Sequence, residues 1–148
     1  MLDVLFPYLL AFLASYLPAI LFNIERKNLF WAGLAGAFGW IGYANILAAS
    51  GRPALAVFCG AAIVTIYGEI MARILKTPAS VFFLTGIYPL VPGINAFYIV
   101  QYAIEGKINE TFYSIIDTIT LAGAIAFGIM LVSTSFQFGT KLKERYKL

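Results

Sequence analysis

The chain alternates long apolar blocks with short polar breaks. The blocks cover residues 4–22, 29–49, 54–75, 79–104 and 111–136, each close to or above the roughly 20 residues that cross a hydrocarbon core. The breaks, Asn23–Asn28, Ser50–Pro53, Lys76–Pro78 and Glu105–Glu110, all carry charge, proline or glycine, as connecting segments do. The pattern predicts an all-α membrane protein: one transmembrane domain over 1–148 with five transmembrane helices and a basic cytoplasmic tail over 139–148.

The fourth block is the exception to a plain reading. In its middle stands Gly86-Ile87-Tyr88-Pro89-Leu90-Val91-Pro92-Gly93-Ile94-Asn95. Proline has no backbone donor, clashes with the preceding turn and disfavours helical angles in the residue before it. As one rod the block would measure about 39 Å at 1.5 Å per residue, against a core of about 30 Å. Tilt could absorb the excess, and a packed proline kink is one account of it. The other is a span broken near mid-membrane into two half-helices, joined by non-helical chain at Tyr88–Gly93. Free backbone groups survive in hydrocarbon only where protein or water satisfies them, and transporters use such breaks to hold solutes. The second half-helix would start near Gly93–Asn95, its exposed amides suited to a carboxylate. Tyr88, Pro89, Pro92, Gly93 and Asn95 are therefore the candidate substrate-binding residues.

Composition agrees with the membrane reading: 61% of the 148 residues are hydrophobic and 11% charged, where soluble domains are about 25% charged. The basic residues are unevenly placed. Arg26, Lys27, Arg73, Lys76, Lys141, Lys143, Arg145 and Lys147 fall on one side, and only Arg52 and Lys107 on the other. Positive residues gather on the cytoplasmic side, which predicts an outside amino terminus and an inside tail. The first block has Asp3 before it and its positive flank after it, so a retained helix is expected rather than a cleaved signal peptide. The net charge of +3 reflects that topology, not a nucleic-acid surface. Cys59 is a lone cysteine in an apolar block and is read as a small packing residue. The absence of histidine removes the commonest general base and metal ligand, and no metal or other cofactor is expected.

The second block carries Gly33, Gly36, Gly39 and Gly42 among alanines. Small residues let helices approach closely in lipid, either within the chain or between subunits of a homo-oligomer. Ala124 and Gly128 repeat that spacing in the last block. Ionisable residues within spans are costly and mark functional candidates. Glu69 and Arg73 are four apart and can pair. They form either a structural ion pair or a protonatable carboxylate coupled to transport. Asp117, in the outer third of the last block, is either an acid facing an aqueous funnel or part of a proton relay. Among uncharged polar residues, Asn95 is better placed to touch a solute than Asn23, Asn45 or Gln101.

Phe22-Asn23 with Arg26, the Gly33/Gly36/Gly39 helix, Ala72-Arg73, Pro78 and the run from Gly86 to Gly93 together resemble the threonine/serine exporter family. The likeness is to its smaller module, in order along nearly the whole chain, with Pro89, Pro92 and Gly93 on the family motif. The resemblance implies export of small amino acids, or of dicarboxylates such as succinate in two-subunit relatives. It also implies a larger companion membrane subunit. It assigns no role to Glu69 or Asp117.

The function expected is that of a secondary exporter subunit in the plasma membrane, taking a small carboxylate-bearing solute. No glycine-rich phosphate-binding loop is present. The competing reading is an accessory subunit that binds no solute and uses the glycine-rich helix as its interface. An intramembrane enzyme is not expected: Ser80, Ser114 and Ser133 have no general-base partner in the sequence, and the deep carboxylates lie on different spans.

Overall fold

The computed structural model describes the backbone of residues 2–145 and the side chains of residues 5–140. Among the described residues all regular structure is helical: α1 (Leu2–Leu21), α2 (Arg26–Ser50), α3 (Pro53–Leu75), α4 (Ser80–Gly86), a 3-10 turn (Tyr88–Leu90), α5 (Gly93–Ile104) and α6 (Ile108–Arg145). Among the described residues three helices are long and apolar enough to cross a membrane: α2, α3 and residues Ile108–Thr140 of α6. The pair Ser80–Leu90 and Gly93–Ile104 passes the same test together but is bent by 50° at the break. The apolar part of α1, Leu5–Leu21, is shorter.

Local chemistry sets the ends. Pro53 opens α3, where its missing N–H costs nothing. Gly51 at φ 63° closes α2 in the left-handed conformation that glycine adopts without strain. Gly106 at φ 72° turns the chain between α5 and α6. Here Lys107 Nζ lies 2.7 Å from Glu105 Oε2, and Gln101 Nε2 donates to Glu105 Oε1 at 3.0 Å. The hydrogen bond from Lys107, helped by Gln101, holds the Glu105 carboxyl below its ordinary range, and the same partner raises Lys107. A depressed carboxyl contributes stability above its unfolded value and loses it as pH falls through its folded one. This turn is fully exposed, so the effect is small.

The last helix differs from its expected extent. The sequence pattern placed a loop over 105–110 and a tail from 139. The helix begins at Ile108, with Glu110 in its first turn complementing the helix dipole. At the other end it runs on through Gly139 to Arg145. Hydropathy marks where a helix leaves lipid, not where it unwinds. The side chains of Lys141, Lys143, Arg145 and Lys147 lie outside the described residues.

In the packing, α2 lies between α1 and α3, and α4 with the 3-10 turn packs on all three. α6 packs on α3, and α5 packs against α6. No residue of α5 is buried. The close approaches run through glycine. Gly33 faces the Phe12 ring and Gly36 faces Ser15 and Ala11 on α1, while Gly39 and Gly42 face Val64 and Ile63 on α3. All four are buried inside the chain. A Cβ on Gly60 would meet the Gly39 carbonyl oxygen at 3.0 Å, and one on Gly128 would meet the Phe58 carbonyl oxygen at 2.8 Å. Lipid gives no hydrophobic drive for helices to associate, so such backbone contact carries the packing.

The basic residues collect at one end. Asn28 Nδ2 at the start of α2 donates to Thr77 Oγ1 just past α3, at 3.3 Å. Arg73 in the last turn of α3 reaches Thr140 of α6. Arg52 and Lys107 belong to the connections at the opposite ends of these helices.

Glycines in contact and glycines in open space make different predictions. Gly128→Ala is expected to lower stability by about 1–3 kcal/mol through overpacking, because the obstructing atom is backbone. Gly123→Ala, with nothing within 4 Å of its added carbon, is expected to be neutral or mildly stabilising. Thermal unfolding in detergent micelles checks the pair; equal midpoints would remove the packing role of Gly128.

Candidate functional site

The break is built from two prolines one turn apart. Isolated prolines at positions 7 and 18 do not end α1, since neighbouring turns absorb one lost hydrogen bond. Pro89 and Pro92 remove two donors within a single turn. The chain responds with a short 3-10 turn, an extended Val91 (φ −64°, ψ 131°) and Pro92 at φ −75°, ψ 57° before α5 begins.

Packing holds this irregular piece in place. Leu90 is buried in a cluster with Ala35, Val57, Ala61, Val64 and Ile125. A Cβ on Gly86 would lie 2.6 Å from Val64 Cγ1 and 2.8 Å from Ala35 Cβ. On Gly60 it would lie 3.1 Å from Leu90 Cδ1. The α4 end of the break is therefore clamped by small residues of α2 and α3.

The α5 end is open. Gly93 N donates to Val91 O at 2.8 Å, and the first helical bond is Ala96 N to Pro92 O at 3.1 Å. Among the described residues the amides of Ile94 and Asn95 find no backbone acceptor outside the helix, and no side chain caps the end. Nothing lies within 4 Å of a Cβ built on Gly93, whose φ is not positive. Neither space within the chain nor backbone geometry demands glycine there. The Asn95 side chain is half-buried and makes no hydrogen bond among the described residues. Tyr88 is 45% exposed, and its ring lies 6.1 Å from that of Phe22.

Beside the break a cleft of about 270 Å³ is lined by Pro7, Leu10, Ala11, Ala14, Trp40 and Pro89. Its side chains are apolar. Sequence reasoning passed over Ser15, which is fully buried against Gly36 with its Oγ unpartnered. The sequence signal for it was a lone serine inside an apolar stretch, with nothing to say which way it faced.

The ionisable candidates sit elsewhere. Glu69 and Arg73 do pair, at 3.4 Å, with side chains 14% and 48% exposed. Arg73 Nη1 also donates to the Glu69 carbonyl at 3.0 Å, and its guanidinium lies 4.8 Å from the Phe136 ring centre. Asp117 is exposed on α6, and among the described residues it takes part in no ion pair. The antiparallel α5–α6 hairpin puts Asp117 level with Asn95, each about 13.5 Å along its helix from the turn. Asp117 and the Phe136 that stacks on Arg73 are about 28 Å apart along α6. Glu69 and Asp117 thus lie far apart, and Asp117 is the one level with Asn95.

Removing the Glu69 carboxylate leaves Arg73 with Thr140 and Phe136. Arg73 is 48% exposed and keeps solvent within reach, so Glu69→Gln is expected to cost no more than about 1 kcal/mol. Thermal unfolding checks it, and a loss several times larger would make the pair structural.

The family described as Threonine/Serine exporter, ThrE, matches the chain over residues 7–135. Comparison with curated proteins and with solved structures gave no match. The match takes in the glycine helix, the Glu69–Arg73 pair, the whole break and Asp117. The chain is a membrane protein of the threonine/serine exporter family.

Proposed function

We propose that the chain is one subunit of a secondary exporter in the plasma membrane. It crosses the bilayer five times, and the fourth crossing is broken near its middle. The transported solute is a small carboxylate-bearing metabolite, a threonine- or serine-like amino acid or a dicarboxylate. Its carboxylate sits at the start of α5, where the amides of Ile94 and Asn95 and the helix dipole favour an anion. Gly93 leaves room for that approach. Asn95 and Tyr88 orient the rest, and Pro89 and Pro92 keep the helix open.

The observation that carries this reading is the uncapped, unobstructed start of α5. A helix end in hydrocarbon with neither cap nor cover is expensive. Water, solute or another subunit has to meet it. The exposed flank of α5, with Ile94, Phe97, Val100 and Ile104, supports a larger companion subunit that closes the site from that side. The amino terminus is placed outside and the basic end inside, following the asymmetry of arginine and lysine. Asp117, level with Asn95 along the α5–α6 hairpin, is the better candidate for proton coupling; Glu69 with Arg73 would act as a second group at the cytoplasmic end.

One observation favours the accessory reading: the cleft beside Pro89 is walled by apolar side chains. Cysteine accessibility decides between them. With the companion present, single cysteines replacing Gly93 and Asn95 are expected to react with a water-soluble thiol reagent, and one replacing the buried Leu90 is not. Protection at all three would favour the accessory role.

Transport gives the direct test. In cells or vesicles carrying the chain with its companion, Gly93→Leu is expected to cut solute efflux at least tenfold, about 1.4 kcal/mol in the barrier. Its unfolding midpoint should stay unchanged, since the site is open. Wild-type efflux from that variant would remove the site assignment.

A further inference from the structure

Two clefts run into one another along the contact between α3 and α6. The first, about 310 Å³, is walled by Phe58, Ala62 and Ile66 of α3 and by Leu131 and Val132 of α6. The second, about 510 Å³, is lined by Arg73, Gly139 and Thr140. Ser135 and Phe136 line both, so the groove is continuous. It is apolar along its length and ends on a cation.

That cation is held ready. Arg73 Nη1 donates to the Glu69 carbonyl, Nη2 donates to Thr140 Oγ1 at 3.4 Å, and the guanidinium stacks on Phe136. The side chain is still 48% exposed. A guanidinium carries more donors than these contacts use. Glu69 offsets part of its charge. Lys76, exposed three residues beyond Arg73, adds to the positive charge at this end.

The dimensions suit one leaflet. From Phe58 to Arg73 is about 22 Å along α3, and half a bilayer with its headgroup region is about 20–22 Å. Arg73 stands in the last turn of α3, at the depth of the headgroups.

We infer that this groove binds one anionic phospholipid. One acyl chain lies between α3 and α6, and the headgroup phosphate meets the guanidinium of Arg73, which Thr140 holds in place while its own hydroxyl hydrogen goes to the Phe136 carbonyl. An apolar channel closed by a fixed cation has the pattern of such an amphiphile, and it discriminates against a lipid with no net charge. The lipid site needs neither the break nor a transported solute.

Native mass spectrometry of the purified full chain tests the site, with phosphatidylglycerol and phosphatidylcholine of matched acyl chains as probes. One phosphatidylglycerol is expected to survive release from the micelle at least about tenfold more often than phosphatidylcholine. Arg73→Gln should reduce it to the phosphatidylcholine level, and Arg73→Lys should keep part of the preference. Ala62→Phe, which fills the groove and leaves the cation alone, should reduce retention of phosphatidylglycerol and so keeps the test open if Arg73 variants fail to fold. Equal retention of the two lipids by the wild type would overturn the assignment. So would full phosphatidylglycerol retention by both Arg73→Gln and Ala62→Phe, or displacement of the lipid by free glycerophosphate at matched concentration.

Discussion

Peptide groups cut off from water within lipid must find partners, and this structure turns on how the chain meets that demand around Pro89 and Pro92. Two donors are lost within one turn, and the helix cannot heal around both. The 3-10 turn satisfies some groups, through Leu90 N to Ile87 O at 2.8 Å and Val91 N to Tyr88 O at 3.3 Å. The rest are left at the start of α5. The break is therefore asymmetric: its α4 side is packed and closed, its α5 side is open.

Glycine makes the closed side possible. Gly39, Gly60 and Gly86 bring three pieces of backbone close enough for Leu90 to seat among them. A side chain at any of these would push the turn away from α2 and α3. The same device joins α3 to α6 at Gly128. The four glycines of α2 divide their contacts between α1 and α3, so both flanks of that helix are taken up inside the chain. An intersubunit surface, if the protein assembles with a companion, has to come from elsewhere. The lightly packed α5, the outer face of α6 and the exposed face of α1 are among the surfaces available.

Much of this was legible in the residues. Pro-x-x-Pro-Gly in a long apolar block announced a break, and the second half-helix starts at Gly93. Glu69 and Arg73 at a spacing of four meet as the helix requires. Three things were not legible. The bend and the departure of α5 from the bundle depend on packing against α6, which periodicity does not encode. The continuation of α6 to Arg145 was hidden because polar helix and polar tail look alike in composition. The apolar character of the cleft at Pro89 and the burial of Ser15 depend on which face of α1 turns inward, and an almost uniformly apolar helix gives no such direction.

Family membership, the interrupted helix and an uncapped helix start together favour a chain that holds a carboxylate-bearing solute within the membrane. The first turn of α5 carries that account. Hydrogen–deuterium exchange of the chain in lipid nanodiscs, resolved to the peptide containing Ile94, Asn95 and Ala96, measures it most directly. The account predicts exchange within seconds at Ile94 and Asn95 beside strong protection over Phe82–Gly86. Slow exchange throughout 82–100, as in an uninterrupted lipid-sealed helix, would contradict it.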